Sequence, residues 1–255
     1  MYAAERRRRI LAMIRSEASV KVGYLAGQFG VSTSTIRRDL NELHRAKLLS
    51  RTYGGAVTTS LSGPEPSFTE RGEAHREQKE RIGEAAARLV RPGETIVVDG
   101  GTTMECFARH IRDVEGLTVA TFGMNIVAAL AGAQKLTVIC IGGILQHRTL
   151  VFGGVLALDA LAAFNLRFDK AFVGATGVSV EDGVTNFGFE EIPLKRMAIE
   201  TAREVILLAD CSKIGVRAAG FVAPIGRISR LVTDASAPEE QIAALRAVGV
   251  VVDVV

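Results

Sequence analysis

The sequence predicts an α/β protein with two domains. A small N-terminal domain of helices and a short hairpin precedes a larger domain built on an open parallel sheet. Two observations predict this organisation. Residues 1–57 carry 11 Lys and Arg against 4 Asp and Glu, whereas residues 58–255 carry 20 against 24. From Thr95 onward, short apolar runs alternate with helical segments, a pattern typical of a parallel sheet with helices on both faces.

The overall composition excludes several classes of protein. With 48% apolar and 23% charged residues, the chain has the composition of a soluble globular protein. Polar residues interrupt every long apolar run, so no segment reaches the roughly 18 apolar residues of a membrane span. The apolar stretch at 10–14 is too short for a signal peptide. We therefore expect a cytoplasmic protein with no membrane partner.

The spacing of cysteines and histidines indicates neither a disulfide framework nor a metal centre. The three cysteines are odd in number and far apart, at positions 106, 140 and 211. The four histidines, at positions 44, 75, 110 and 147, share no ligand-like spacing. We therefore predict reduced thiols, no metal and no cofactor.

The chain begins with two predicted helices separated by an extended segment. Residues 3–16 form the first helix, with Ile10 and Ile14 at core spacing and the arginines at 6–9 on its outer turns. Residues 20–22 are extended. The second, short helix ends at Gly30, a residue suited to the left-handed geometry of a tight turn. This order is typical of the first half of a helix-turn-helix.

The third helix is predicted over residues 33–47, with Ser32 as its N-cap. At helical spacing Ile36, Leu40 and Leu43 share one face, so the opposite face is polar. After this helix, residues 50–56 include a glycine pair and are predicted to form a two-stranded wing.

The polar face of the third helix has the residue types of a recognition helix. In the major groove Arg can donate to O6 and N7 of guanine, and Ser and Thr can reach phosphates. The candidate DNA contacts are Ser32, Thr33, Ser34, Thr35, Arg37, Arg38, Asn41, Arg45 and, in the wing, Arg51. The alternative is that the arginines only solvate an exposed helix face. The order of helices, cap and basic wing favours a winged helix-turn-helix that binds duplex DNA.

Residues 31–43, with the sequence VSTSTIRRDLNEL, carry a resemblance to a known family. Together with Arg51 and the Gly-Gly-Ala turn at 54–56, they resemble the N-terminal signature of the DeoR family of bacterial sugar-metabolism regulators. The resemblance extends through the second domain and covers essentially the whole chain. It implies a repressor of transcription that binds operator DNA as a homo-oligomer, either a dimer or a tetramer.

Residues 58–76 are predicted to link the two domains. The stretch 58–71 is rich in Ser, Pro and Gly and has no apolar period. Residues 77–90 then have helical spacing, with Ile82, Ala86 and Leu89 facing inward. We thus place the N-terminal domain at 1–57 and the second domain at 77–255.

Seven apolar runs predict the strands of a Rossmann-like sheet: 96–98, 117–120, 136–141, 171–173, 205–209, 231–232 and 250–252. In open sheets of this kind, ligands bind beyond the carboxyl ends of the strands. Several of those ends carry glycines and polar residues, at 99–103, 121–125, 142–143, 174–177 and 210–213. For any one of these turns, the alternative is that its glycines only make a tight connection between a strand and a helix. Their recurrence favours one ligand pocket.

The turn at 99–103 has the features of an anion site. Its glycines allow close backbone approach, and the helix that follows presents free amides. Thr102 and Thr103 could offer hydroxyls, and Lys213 could offer a point charge to a phosphate. Lys195, on a predicted helix at 191–202, is a further candidate, although a solvated lysine explains it equally well.

The resemblance adds a ligand class. The C-terminal domain of the DeoR family is similar to ribose-5-phosphate isomerase, and its ligand is a phosphorylated sugar or polyol. The positions that match the family motifs are Asp99, Gly101, Thr102, Thr103, Asn125, Gly142, Gly143, Glu191, Lys195, Asp210, Ser212 and Lys213. All of these except Asp210 and Ser212 are effector-binding candidates, and to them we add Thr176, from the turn at 174–177.

One departure from the isomerases bears on chemistry. They carry an acidic stretch after a Gly-Ala pair, where this chain has Thr176 and Gly177. Aldose–ketose isomerisation needs a base, and a threonine hydroxyl cannot serve as one at neutral pH. Glu190 and Glu191 could substitute, but no acid is paired with them in the sequence. We expect a pocket that binds its ligand without chemistry.

The sequence therefore predicts a repressor in which a phosphorylated sugar, bound to the C-terminal domain, changes the affinity of the N-terminal domain for its operator. The rival hypothesis is a sugar-phosphate isomerase or hydrolase with a basic appendage, which the missing carboxylates disfavour. A third, an architectural DNA binder without an effector, leaves the glycine-lined α/β domain unexplained.

Overall fold

The computed structural model describes residues 3–17, 19–45, 50–52, 55–57 and 66–255. The chain forms two compact units, residues 1–66 and residues 67–255, which we call the N-terminal unit and the C-terminal unit. No helix among the described residues is long and apolar enough to cross a membrane.

Three helices make up most of the N-terminal unit: α1 (Ala3–Glu17), α2 (Val22–Phe29) and α3 (Thr33–Arg45). As predicted, α2 ends at Gly30, whose φ of 60° is left-handed. Ser32 caps α3, because its Oγ accepts a hydrogen bond from the Thr35 amide at 3.2 Å. The predicted helix-turn-helix is confirmed.

A three-stranded antiparallel sheet completes this unit. β2 (Ser50–Thr52) and β3 (Gly55–Val57) pair as the predicted wing. β1 (Ser19–Lys21) pairs with the other edge of β3 and makes it the central strand. The wing is therefore anchored to the segment between α1 and α2.

The core of the N-terminal unit holds a buried ion pair as well as apolar side chains. Ile10, Leu25, Ile36 and Leu40 are fully buried. The prediction that all the arginines at 6–9 lie on outer turns was wrong for Arg6. Its Nε lies 2.6 Å from Oδ2 of the buried Asp39, so the pair fixes α1 against α3. Charge alone could not distinguish Arg6 from its exposed neighbours, because the distinction depends on a partner 33 residues away.

The C-terminal unit is built on a seven-stranded sheet in which every pair of neighbouring strands is parallel. The strands are β15 (Val251–Val254), β14 (Arg230–Thr233), β12 (Ala202–Leu208), β9 (Phe168–Val173), β4 (Thr95–Val98), β5 (Thr118–Thr121) and β6 (Thr137–Cys140), in spatial order. These are the seven strands that the apolar runs predicted. All their carboxyl ends lie at one edge, which we call the carboxyl edge.

Helices cover both faces of this sheet. One core lies under α5 (Arg76–Ala87), α6 (Thr102–His110) and α7 (Met124–Leu130). The other lies under α8 (Val155–Phe164), α9 (Ile192–Thr201) and α10 (Glu239–Ala247). The fold is therefore the Rossmann-like α/β arrangement that the sequence predicted.

The helices α5 and α6 pack closely because α5 contains a glycine at the contact. A Cβ on Gly83 would lie 2.6 Å from the Phe107 amide nitrogen of α6, closer than real Cβ atoms approach. Beneath this contact the Phe107 ring stacks on Phe172 of β9, with 4.2 Å between ring centroids. The packing fixes α6, whose first turn begins at the carboxyl edge.

Two small sheets at the carboxyl edge were not predicted. β7 (Ile144–Gln146) and β8 (Val151–Gly153) form a hairpin. β10 (Gly177–Ser179), β11 (Gly183–Asn186) and β13 (Gly220–Ala223) form an antiparallel sheet. These strands have three or four residues each, too few to show a period in the sequence.

The end of the predicted linker at 58–76 is helical. Ser67 is the N-cap of α4 (Phe68–Glu73), and Ser67 and Glu70 form a reciprocal capping box. α5 begins at Arg76. The S-x-x-E spacing that predicts such a helix start was present in the sequence, but the Ser and Pro content of 58–71 outweighed it. Residues 58–65 lie outside the described residues.

We predict that Asp39→Ala destabilises the N-terminal unit by about 3–5 kcal/mol, because it leaves Arg6 charged and buried without its partner. All three tyrosines of the chain, at 2, 24 and 53, belong to this unit, and the chain has no tryptophan. Tyrosine fluorescence during urea denaturation of the full chain therefore reports the unfolding of this unit alone.

The matched control is Glu5→Ala, which removes exposed ion pairs with Arg8 and Arg9 on the same helix α1. Exposed pairs contribute little, so this variant should unfold close to the wild type. Equal urea midpoints for Asp39→Ala and the wild type would show that the buried pair does not stabilise the unit.

Candidate functional site

The start of α3 presents a cluster of hydroxyls and two arginines. Ser32, Thr33, Ser34, Arg37 and Arg38 are exposed. The Ser32 hydroxyl lies 2.8 Å from that of Ser34 and 2.9 Å from that of Thr35. Short polar groups therefore surround the first turn, where a recognition helix meets base edges and phosphates.

The other predicted DNA contacts are either less exposed or have side chains outside the described residues. Thr35 and Asn41 are half-buried and lie at the border of the exposed surface. The side chains of Arg45 and Arg51 lie outside the described residues, although their backbones belong to α3 and β2. The structure therefore supports the first turn and the two arginines of α3 most directly.

In the C-terminal unit, the central strand β4 runs into the predicted anion turn. Asp99 follows β4 and is buried, and its Oδ1 accepts from the Gly100 amide at 2.8 Å. Gly101 has a φ of 112°, which favours glycine, and precedes the first residue of α6. The amides of Thr102 and Thr103 lie in the first turn of α6, where backbone amides have no intrahelical partner. No side chain caps this helix start in their place. These amides and the helix dipole form an anion-binding geometry.

Lys195 of α9 pairs with Asp99 behind this turn. Its Nζ lies 2.7 Å from Asp99 Oδ2, and it also donates to the Gly174 carbonyl at 3.2 Å and to Asn186 Oδ1 at 3.4 Å. Lys195 is only 4% exposed, so the solvated-lysine alternative was wrong. Asp99 also accepts from the Gly174 amide at 2.9 Å. The pair thereby joins the ends of β4 and β9 to α9.

Asn186 extends this network to Glu191 and Thr176. Its Nδ2 donates to Glu191 Oε2 at 3.2 Å, and its Oδ1 accepts from the Thr176 hydroxyl at 3.2 Å. Glu191 and Asn186 are buried, and Thr176 is half-buried. The structure thus brings together four of the predicted effector residues, Asp99, Thr176, Glu191 and Lys195. Burial raises the pKa of Asp99, while the charge of Lys195 opposes the rise and that of Glu191 adds to it.

Two buried acceptor oxygens beside this network have no hydrogen-bond partner within the described part of the chain. They are Asn125 Oδ1 and Glu191 Oε1. The Nδ2 of Asn125 donates to the Gly101 carbonyl at 3.0 Å, which ties α7 to the anion turn. Buried polar groups normally find a partner, so these oxygens are candidates to accept hydrogen bonds from a ligand.

The predicted Asp210–Lys213 motif follows β12 as a 3₁₀ turn, Cys211–Lys213. Asp210 is buried, and its Oδ1 accepts from the Ser212 amide at 3.0 Å and from the Ser212 hydroxyl. Burial by itself would raise the pKa of Asp210, but Lys213, Ser212 and Lys79 outweigh it and the pKa is lowered. Because β9 lies between β12 and β4, the ends of β12 and β4 are about 10 Å apart. Lys213 therefore lies along the same edge as Asp99, two strands away.

Gly142 and Gly143 lie farther along the edge, after the outer strand β6. A Cβ on Gly143 would lie 2.8 Å from both the Ala157 side chain and the Gly153 carbonyl. Gly143 thus has a packing role against the β7–β8 hairpin and α8. Nothing lies within 4 Å of a Cβ built on Gly142.

Sequence reasoning missed two residues of the edge, Asn186 and Lys79. Lys79 of α5 is 5% exposed and donates to the carbonyls of Arg71 and Ala74. Burial lowers its pKa to about 8, although Asp210 opposes the shift. In the sequence it lies among charged residues of an amphipathic helix and has no distinguishing signal. Asn186 lies in a four-residue strand of the kind that the sequence does not reveal.

Comparison with protein families gives two matches that follow one another along the chain. Residues 6–61 match the DeoR-like helix-turn-helix domain, and residues 74–235 match the DeoR C terminal sensor domain. The second match alone covers more than half of the chain.

Individual relatives match over nearly their whole length. An uncharacterized HTH-type transcriptional regulator of Bacillus subtilis, YulB, is 34% identical over 245 residues, which are 96% of this chain and 94% of the relative. The glycerol-3-phosphate regulon repressor of Escherichia coli is 32% identical over 238 residues, 93% of each chain. Among solved structures, ribose 5-phosphate isomerase A of Methanocaldococcus jannaschii aligns with 55% of each chain, at 16% identity and a TM-score of 0.41.

These relatives are named as regulators and repressors of transcription, and their match extends over both units. The chain is accordingly a DNA-binding regulator rather than an enzyme. With a DeoR-like helix-turn-helix domain followed by a DeoR sensor domain, it belongs to the DeoR family of transcriptional regulators.

Proposed function

We propose that this regulator represses a carbohydrate operon and that a phosphorylated sugar or polyol relieves the repression by binding at the carboxyl edge of the C-terminal unit. The observation that carries the proposal is the uncapped start of α6 at the end of the central strand. It offers backbone amides to a phosphate at the place where open α/β sheets bind ligands.

The network behind this turn suits the rest of such a ligand. A sugar or polyol has several hydroxyls, each of which can donate a hydrogen bond. The unpartnered oxygens of Asn125 and Glu191 can accept them. The Asp99–Lys195 pair holds Glu191 in place through Asn186, and the Gly101 carbonyl holds the side chain of Asn125. One ligand could thus place its phosphate at α6 and its hydroxyls toward α7 and α9.

Lys213 supplies a positive charge on the same edge. Its side chain is half-buried, and it lowers the pKa of Asp210. We propose that the Lys213 ammonium contacts the phosphate of the bound effector. A lysine suits this role because its charge sits on a flexible stem.

The N-terminal unit supports the DNA part of the proposal. The first turn of α3 would enter the major groove, with Arg38 on a base edge and the hydroxyls on phosphates. We propose a homo-oligomer, since paired heads would contact operator half-sites one helical turn apart and increase affinity. A coupling free energy of roughly 1–3 kcal/mol between effector and operator would change operator affinity about 5- to 150-fold.

The effector class can be tested with the full-length protein and a panel of phosphorylated sugars and polyols, each beside its unphosphorylated parent. A ligand that binds only the folded state raises the melting temperature. We expect a shift for one or a few phosphorylated compounds and none for their parents. Equal shifts for a phosphorylated compound and its unphosphorylated parent would show that the protein does not recognise the phosphate.

We predict that Arg38→Ala weakens binding to the specific operator by about 1–3 kcal/mol and binding to scrambled DNA much less, because a bidentate arginine–guanine contact distinguishes bases. The operator is the sequence that the wild-type protein selects from a random DNA pool, and anisotropy measures both affinities. The control is Arg88→Ala, an exposed arginine of the C-terminal unit that should leave both unchanged. Equal losses on the two DNAs would make Arg38 a phosphate contact.

We predict that Lys213→Ala still binds the operator but needs about 10- to 150-fold more effector for release, since hydrogen bonds to charged groups contribute roughly 1.5–3 kcal/mol. The measurement is a titration of the compound identified above into the protein–operator complex, with circular dichroism to show that the fold is intact. Lys135→Ala is the matched control, because Lys135 is exposed before β6, at the opposite edge of the sheet. Release of the Lys213→Ala complex at the wild-type concentration would place Lys213 outside the site.

A further inference from the structure

Three side chains with different metal-binding atoms converge at the start of the Asp210–Lys213 motif. His75 lies in the turn between α4 and α5, whereas Asp210 and Cys211 follow β12. One ring nitrogen of His75, one carboxylate oxygen of Asp210 and the Sγ of Cys211 all lie within 4.8 Å of one another. Within the described ranges, no other group of three such residues has this spacing.

The donor set is that of a borderline-soft divalent cation. Zinc binds imidazole nitrogen, thiolate sulfur and carboxylate oxygen, and sites with three protein ligands leave a fourth position to water. In a tetrahedral zinc site the ligand atoms are about 3.3–3.8 Å apart, given metal–ligand distances of roughly 2.0–2.3 Å. Small side-chain rotations would therefore bring the three ligand atoms of His75, Asp210 and Cys211 to the distances of a zinc site.

The three ligands differ in burial. Asp210 is 1% exposed and is held by Ser212 through one oxygen, which leaves its other oxygen for a cation. His75 and Cys211 are half-buried and can adjust. His75 has a left-handed backbone, with φ of 54°, which is uncommon for a residue other than glycine. This conformation holds the imidazole-bearing residue at the turn opposite Asp210.

The negative charges around the group can accommodate a cation. Lys79 and Lys213 lie near Asp210, but the Lys79 ammonium donates to the carbonyls of Arg71 and Ala74. Asp210 and Asp234 place negative charge beside the Cys211 sulfur. Because Asp210 is already a carboxylate and the Cys211 thiol loses one proton, binding a divalent cation changes the net charge of the three side chains and the ion from −1 to zero.

We propose that His75, Asp210 and Cys211 form a binding site for a zinc-type divalent cation, with water as the fourth ligand. On binding, the Cys211 thiol releases its proton to solvent. The ion joins the end of β12 to the turn between α4 and α5, the first two helices of the C-terminal unit. The site is separate from the effector contact assigned to Lys213 and does not depend on it.

Cobalt(II) is the probe, because Co²⁺ bound to a thiolate has a charge-transfer absorption. Co²⁺ bound only to oxygen ligands lacks this band, and so does Zn²⁺. Full-length reduced protein, freed of metal with a chelator, is titrated with Co²⁺ and then with Zn²⁺. We expect one equivalent of Co²⁺ to give the thiolate band and visible bands typical of tetrahedral cobalt. One equivalent of Zn²⁺ should abolish them.

Two variants and a control locate the ion. Cys211→Ser should lose the thiolate band, and His75→Asn, which keeps a residue that tolerates a left-handed backbone, should weaken Co²⁺ binding at least tenfold. Cys140→Ser, which removes an exposed cysteine, should bind like the wild type. The absence of a band, its persistence in Cys211→Ser, or unchanged affinity in His75→Asn would each overturn the proposal. Melting curves without metal confirm that the variants are folded.

Discussion

One buried ammonium, that of Lys195, holds together the edge of the sheet on which the sensor depends. It contacts Asp99 after β4, the Gly174 carbonyl after β9 and Asn186 at the end of β11. Charges this deep persist only when they are paired and their remaining protons are bonded. The ends of β4, β9 and β11 are therefore tied to α9, and a ligand that shifts α9 would act on all three together.

The parallel topology explains how much could be predicted from the sequence. A buried parallel strand is a continuous apolar run, so all seven strands were visible, and parallel strands bring their ends to one edge. The turn after β4 and the Asp210–Lys213 motif were therefore found. Burial of Lys195 and Arg6 was not, because each depends on a partner distant in sequence. Burial of Lys79 was not, because it lies among charged residues of an amphipathic helix. His75 and Cys211 are separated by 135 intervening residues, and no spacing rule detects such a pair.

The two parts of the chain differ in net charge as well as in fold. The first 57 residues have a net charge of +7, and the remainder has −4. A basic unit attracts any duplex, so we propose that specificity comes from the first turn of α3. In the C-terminal unit some charges, such as those of Asp99 and Lys195, are paired and buried, and the start of α6 and Lys213 can offer positive potential to an anion. In our proposal the two ligands are thus recognised by different physical means.

The central claim is that the C-terminal unit binds a phosphorylated effector and that this binding opposes operator binding. Calorimetric titration of the effector into free protein and into protein saturated with operator tests it most directly. Linkage requires the operator to weaken effector binding by the same factor by which the effector weakens operator binding. We predict a matching loss of about 5- to 150-fold. Equal effector affinities for the free and the DNA-bound protein would contradict the account.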